Sequence, residues 1–295
     1  MTKFTLLITL FISILFFGCS TTLTLNKQIA IADQAISTGD YETALASYTK
    51  LINDQQSKDK EISGSIYSSA AKAAFRLNKI TEAEMYFKQA YYKGYADAEM
   101  YSNMISIYKS IDNLSKEIDA LEYFVKDFKT DDRFTNFNQR LLETYIESEN
   151  WEKAVALWPS LDTKNQMDVH NMELYLTALK NLNNESKSDM VANAILKLNV
   201  TSQPALEWMA EKFFMRAENR YQKEMTAYEK NKTNKQYKIM LKALDVVTSN
   251  FKKSLKYYQK LYKLYPSKEY AKFMANIYIR FQDKAKSEYY LKLSK

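Results

Sequence analysis

The sequence predicts an all-α fold, and three observations predict it. Its 295 residues include only four glycines and three prolines, too few of the turn residues that a strand-rich chain needs every few positions. Apolar residues recur at steps of three and four through segment after segment, which places them on one face of a helix. The segments also come in pairs, joined by short polar breaks holding Gly, Asp or Asn, as helix stops require. With 46% of its residues apolar and 26% charged, the chain can build a core and does not have the composition of a disordered one.

The N-terminus stands apart from this pattern. Behind Met1-Thr2-Lys3, an apolar run extends from Phe4 to Phe17. That is the length of a signal-peptide core and short for a membrane span. It ends in Phe16-Phe17-Gly18-Cys19-Ser20, which resembles the lipobox of bacterial lipoproteins. Gly18 and Cys19 match it, while Phe16 and Phe17 depart from the strict form in the manner of Bacteroidota-type diderm bacteria. The resemblance implies a signal peptide over 1–18, acylation (palmitate included) at Cys19 and a lipidated tether over 19–26. Cys19 is the only cysteine, so no disulfide forms within the chain. Three acyl chains exceed what stable anchoring requires. An uncleaved signal anchor, or an ordinary secretory signal with an incidental Cys19, is the alternative.

The repeats follow from residue 27 to 201. The first unit contributes Ile31, Ala32 and Ala35, then Gly39-Asp40-Tyr41 with Ala44, Leu45, Tyr48, Leu51 and Ile52. The second has Tyr67, Ala70, Ala71, Ala74 and Phe75, a turn at Asn78-Lys79, then Ala83, Phe87, Ala90 and Tyr91. The third has Tyr101, Met104, Ile105 and Tyr108, then Leu114, Ile118, Leu121, Phe124 and Val125. The fourth has Leu141, Leu142, Tyr145 and Ile146, a turn at Glu149-Asn150, then Trp151, Ala154, Val155, Trp158 and Leu161. A weaker fifth runs from about Val169 to Leu198. This pattern resembles the tetratricopeptide repeat (TPR), most specifically at Gly39-Asp40-Tyr41 with Ala44 and at Glu149-Asn150-Trp151 with Ala154. The resemblance implies a right-handed superhelical solenoid of helix pairs.

The pattern changes over 202–295. After Pro204 one long helix is expected from Ala205 to about Lys230, a polar break over residues 230–235, then a second from Gln236 to Tyr265, closed by Pro266. This reads as a repeat stretched into a projecting hairpin, followed by a final pair from Tyr270 to Leu293. Charge shifts in the same region. From residue 220 onward nineteen Lys and Arg face six Asp and Glu, a net of +13, whereas the whole chain is +7 and residues 1–219 are therefore −6.

Enzyme chemistry is not expected. His170 is the only histidine, Cys19 is assigned to acylation, and no set of clustered metal ligands or catalytic triad can be assembled. The four glycines, Gly18, Gly39, Gly64 and Gly94, are too scattered for a phosphate loop. Asp131-Asp132 reads as a solvated pair. No cofactor or metal is expected.

The TPR resemblance implies a concave face lined by first helices. Carried over by position, that lining is Ser68, Lys72, Phe75 and Arg76, then Ser102, Asn103, Ser106 and Lys109, then Gln139, Glu143 and Glu147. Lys72, Arg76, Asn103 and Lys109 resemble part of a clamp for a C-terminal carboxylate, but Asp33 stands where the first unit would need Asn. The expected function is a protein-interaction scaffold of the bacterial envelope, at the outer membrane and facing the periplasm. Its expected partners are other envelope proteins or peptides, and not nucleic acid. The alternative is a binder of an anionic envelope polymer, cell wall or lipopolysaccharide, through the basic C-terminal hairpin.

Overall fold

The structure, a computed structural model, describes residues 25–295. The signal segment and Cys19 lie outside the described residues. Among the described residues the regular structure is entirely helical. Helix α1 covers 25–37, so residues 25 and 26, assigned above to the tether, are its first turn. There follow α2 (Tyr41–Gln56), α3 (Gly64–Arg76), α4 (Ile80–Tyr92), α5 (Ala98–Ser110), α6 (Leu114–Asp127), α7 (Phe134–Glu147) and α8 (Trp151–Leu157). The remainder are the short α9 (Thr163–Gln166), α10 (Val169–Asn181), α11 (Glu185–Leu198), α12 (Gln203–Lys230), α13 (Asn234–Leu264), α14 (Lys268–Arg280) and α15 (Lys284–Leu293). The chain forms two compact units, Met1–Thr144 and Tyr145–Lys295, divided within α7.

One local device builds the pairs. A residue with left-handed backbone ends the first helix at Gly39, Asn78, Asp112, Glu149, Asn183 and Gln282, with φ between 53° and 77°. In all six turns the next residue's N–H donates back five positions: Asp40 to Ala35, Lys79 to Ala74, Asn113 to Tyr108, Asn150 to Tyr145, Asn184 to Leu179 and Asp283 to Tyr278. These bonds occupy carbonyls that a helix end leaves unpaired, in the Schellman manner. That same residue often caps the second helix. Asp40, Asn113, Asn184 and Asp283 each accept from the backbone N–H three positions on, satisfying one of its free donors. Successive turns from 39 to 183 are spaced by 39, 34, 37 and 34 residues, which gives the period of the fold.

In unit 1, α3 packs between α2 and α4, and α5 against α6. Ala70, Ala71, Ala73 and Ala74 on α3 are wholly buried, and their small side chains let α2 and α4 approach. Gly64 serves the same end. A Cβ there would lie 2.5 Å from Cβ of Tyr95, so only glycine fits where α3 begins against the end of α4. Tyr48, Phe87, Phe124 and Leu121 fill the seams between helices.

In unit 2, α10 packs on α11, α12 on α13, and α14 on α15. The α12–α13 pair is the stretched hairpin expected from the sequence, with helices of 28 and 31 residues where α10 and α14 have 13. Phe251, Tyr258, Leu261, Met274 and Ile277 form the core at its base. Pro204 falls inside the first turn of α12, behind the cap Ser202, where its missing N–H costs nothing.

Two expectations are corrected. Residues Trp151 to Leu161 do not form one helix. The α-helix stops at Leu157 and a 3-10 turn, Trp158–Ser160, follows, because Pro159 has no N–H to continue the ladder. Tyr91 and Ile31 are not seam residues. They are 54% and 52% exposed, and in α4 the seam is closed by Tyr86, Phe87 and Ala90 instead.

Candidate functional site

The first-helix residues singled out from the sequence are placed as follows. The Lys72 ammonium lies 2.8 Å from Glu99 and 3.4 Å from Asp97, so it serves as a link from α3 to the start of α5. Asp97 also caps α5 by accepting from the Met100 N–H, and it accepts from the Tyr95 hydroxyl at 2.6 Å. Burial pushes the Asp97 carboxyl up, but these hydrogen bonds and the Lys72 charge outweigh it and hold the group below the ordinary aspartate range. Tyr95, bonded to that carboxylate and partly buried, is pushed up to about 12.

Arg76 is exposed and sits 5.9 Å above the Tyr41 ring. Phe75 and Asn103 are half-buried and Lys109 is exposed. Glu143 is held at 3.1 Å by Arg140, which also grips the buried Glu117 with two hydrogen bonds of 2.8 and 3.1 Å. Ser68 is buried with its hydroxyl unpartnered. Lys72 and Arg140 thus tie one helix to the next, Glu143 pairs within α7, and the charge of all three is already balanced.

An aromatic-lined cleft of unit 1 lies elsewhere, where α5 meets the second helices α4 and α6. A cleft of about 350 Å³ opens among α4, α5 and α6, lined by Tyr91 and Tyr92, by Tyr101, Met104 and Tyr108, and by Tyr123. Tyr101 and Tyr123 stack face to face, 4.1 Å apart and 4° from parallel, and Phe128 backs both at 6.1 and 6.2 Å. Tyr91 and Tyr92, tilted against each other at 6.2 Å, stand at the mouth with Tyr92 65% exposed.

Charges rim the cleft. Lys116 is ion-paired with Glu84 and lies 5.3 Å from the Tyr108 ring, while Lys88 lies 5.8 Å from that of Tyr92. The Glu84 hydrogen bond raises Lys116, so this rim cation stays charged. Burial raises the phenols of Tyr101 and Tyr108, so the walls are neutral aromatic surface.

Sequence reasoning missed this cleft because it assigned Tyr101, Met104, Tyr108 and Tyr91 to the apolar seam. The available signal was the doublet Tyr91-Tyr92. Adjacent residues on a helix point about 100° apart, so one seam cannot bury both.

The cleft suits binding rather than bond making. It offers broad aromatic faces, a flexible thioether and flanking charges, which accept an apolar or aromatic side chain. It holds no nucleophile paired with a base. His170 is exposed at the start of α10 in unit 2. Among the described residues no three His, Cys, Asp or Glu side chains converge as metal ligands do.

No protein-family model matches the sequence, and no curated protein matches it. Solved structures do. A candidate protein-binding protein from Bacteroides ovatus aligns over 76% of this chain and 99% of its own, with a TM-score of 0.53 and 20% identity. The C-terminal part of a TPR repeat-containing protein from Cytophaga hutchinsonii covers 89% of this chain and 92% of its own, at 0.47 and 16%. A tetratricopeptide repeat protein from Parabacteroides merdae covers 92% and 91%, at 0.41 and 12%. The fold is all-α and built of TPR-like helix pairs.

Proposed function

We propose that this chain is a protein-interaction scaffold of a bacterial envelope, held at the outer membrane by acylated Cys19 and facing the periplasm. Its partner places an apolar or aromatic anchor in the tyrosine cleft of unit 1. The single observation behind this reading is the cleft itself. Interfaces draw most of their affinity from a few buried aromatic anchors in preformed pockets, and here six aromatic or thioether side chains stand ready around about 350 Å³. The first-helix ion pairs leave the opposite side of the pairs less available, since Lys72 and Glu143 are already engaged. The description of the Bacteroides ovatus protein as a candidate protein-binding protein agrees with the reading. Membrane attachment rests on Gly18-Cys19 alone. Among the described residues no helix is long and apolar enough to cross a membrane.

The test is co-purification of the tagged full-length chain from its native host in mild detergent, at low and high salt, beside a Tyr91→Ala/Tyr92→Ala variant. Both side chains are exposed, so the fold is kept. The expected result is a stoichiometric protein partner that survives high salt with the wild type and is lost with the variant. A partner that binds both equally refutes the cleft. After a high-salt wash, which removes contacts held by charge alone, a Cys19→Ala chain should move to the soluble fraction while the wild type stays with membranes, and a variant that still pellets after that wash refutes the lipid anchor.

A further inference from the structure

Helix α13 carries eight lysines, Lys235, Lys238, Lys242, Lys252, Lys253, Lys256, Lys260 and Lys263, against one acidic residue, Asp245. Among the described residues α12 is ion-paired through Glu211, Lys212, Arg216 and Glu218 and the last helix through Lys284 and Lys286, whereas no ion pair involves α13. Its buried residues, Met240, Ala243, Val247, Phe251, Ser254, Tyr258 and Leu261, mark one face. At about 100° per residue, all eight lysines fall on the opposite face. Seven are exposed, and Lys260, half-buried, donates to the Val200 carbonyl at 2.6 Å. The result is a cationic stripe without ion-pair partners along a helix about 46 Å long.

A purely solvated stripe would be flanked by polar residues. Here, toward the tip of the hairpin, the flanks are apolar and exposed: Tyr237 44%, Ile239 43%, Leu241 44% and Val246 43%. At the base, Lys253 and Lys256 border an open cleft of about 490 Å³ walled by Leu196, Val200 and Phe213. Lysines with long apolar stems beside exposed apolar side chains match a bilayer interface, where the ammonium meets lipid phosphates and the neighbours enter the acyl boundary. A soluble polyanion would use the charges and leave the apolar flanks in water.

We propose that the α13 face of this hairpin docks on a membrane surface of anionic phospholipid. The contact is independent of Cys19, and it goes beyond the scaffold reading. It makes the hairpin a second attachment that sets how the molecule stands on the bilayer.

The experiment uses the full chain with Cys19→Ala, in which Leu241→Cys is the only thiol and carries a bimane fluorophore. Lys187→Cys, exposed on α11, is the control position. Vesicles of phosphatidylcholine alone and of phosphatidylcholine with phosphatidylglycerol are titrated in. The expected result is a blue shift at position 241 only with the anionic vesicles, reversed by salt and absent at position 187. Replacing Lys235, Lys238, Lys242 and Lys256 by Gln should weaken the apparent affinity by about tenfold or more. No shift with anionic vesicles overturns the proposal. So does an equal shift on neutral vesicles, or the same shift produced by dextran sulfate without lipid, which would assign the stripe to a polyanion instead.

Discussion

Single residues show how closely the charges of unit 1 are matched. Glu117 is 2% exposed and depends on two hydrogen bonds from Arg140. Removing one member of a buried pair strands the other, at a cost of about 3–5 kcal/mol. Arg140→Met should therefore lower stability by about that amount in urea titration. The double variant Arg140→Met/Glu117→Met should recover most of the loss, because no buried charge is left alone. Asp97 gives a pH dependence. Its folded carboxyl lies below the ordinary value of 3.8, so its contribution is present above about pH 4 and is lost as pH falls through the folded value. Asp97→Asn keeps a capping oxygen but loses the charge that faces Lys72 and the start of α5, so it should cost about 0.5–1 kcal/mol at neutral pH, and the gap from wild type should close in acid. A gap that persists at low pH would mean that the carboxylate's charge is not the stabilising feature.

The helix pair is the element that the sequence shows most plainly. Gly39-Asp40 and Asn78-Lys79 were readable as turns because Gly and Asn tolerate left-handed backbone, and Glu149-Asn150 because Asn150 is a helix-capping residue type. The length of α12 and α13 was readable too, because nothing between Pro204 and Lys230 stops a helix. The end of α8 was not, as the apolar spacing of Trp151, Ala154, Val155 and Trp158 concealed Pro159. The tyrosine cleft was hidden for a related reason. Periodicity marks which side chains share a face, and Tyr101 and Tyr108 are indeed buried, but it does not show that a packed seam opens at its edge. The turn device itself can be tested at Glu149, a long side chain at φ 57°. Glu149→Gly should raise stability by about 0.5–1 kcal/mol, through relief of the left-handed strain. The measurement is the urea midpoint, with an unchanged m-value. A drop in the midpoint would show that the Glu149 side chain matters more than its backbone.

At the scale of the whole molecule, the chain keeps distinct chemistries in its two units. Unit 1 holds neutral aromatic walls, and its first-helix ion pairs link one helix to the next. Unit 2 holds the unpaired lysines of α13, within a C-terminal stretch of net +13. That asymmetry was legible from composition, whereas its confinement to one helix face needed the structure to identify the buried side of α13. The two proposals, a protein anchor in the cleft and a lipid contact along α13, rest on this separation.

The most direct test is site-specific photocrosslinking in the native host. A benzophenone amino acid is placed at Tyr92 in the cleft, and in a parallel strain at Asn103 on the first-helix side. The account predicts a discrete protein adduct from position 92 that persists at high salt, and little or none from position 103. Adducts from position 103 alone would contradict it, and would return the binding surface to the first-helix face that the sequence first suggested.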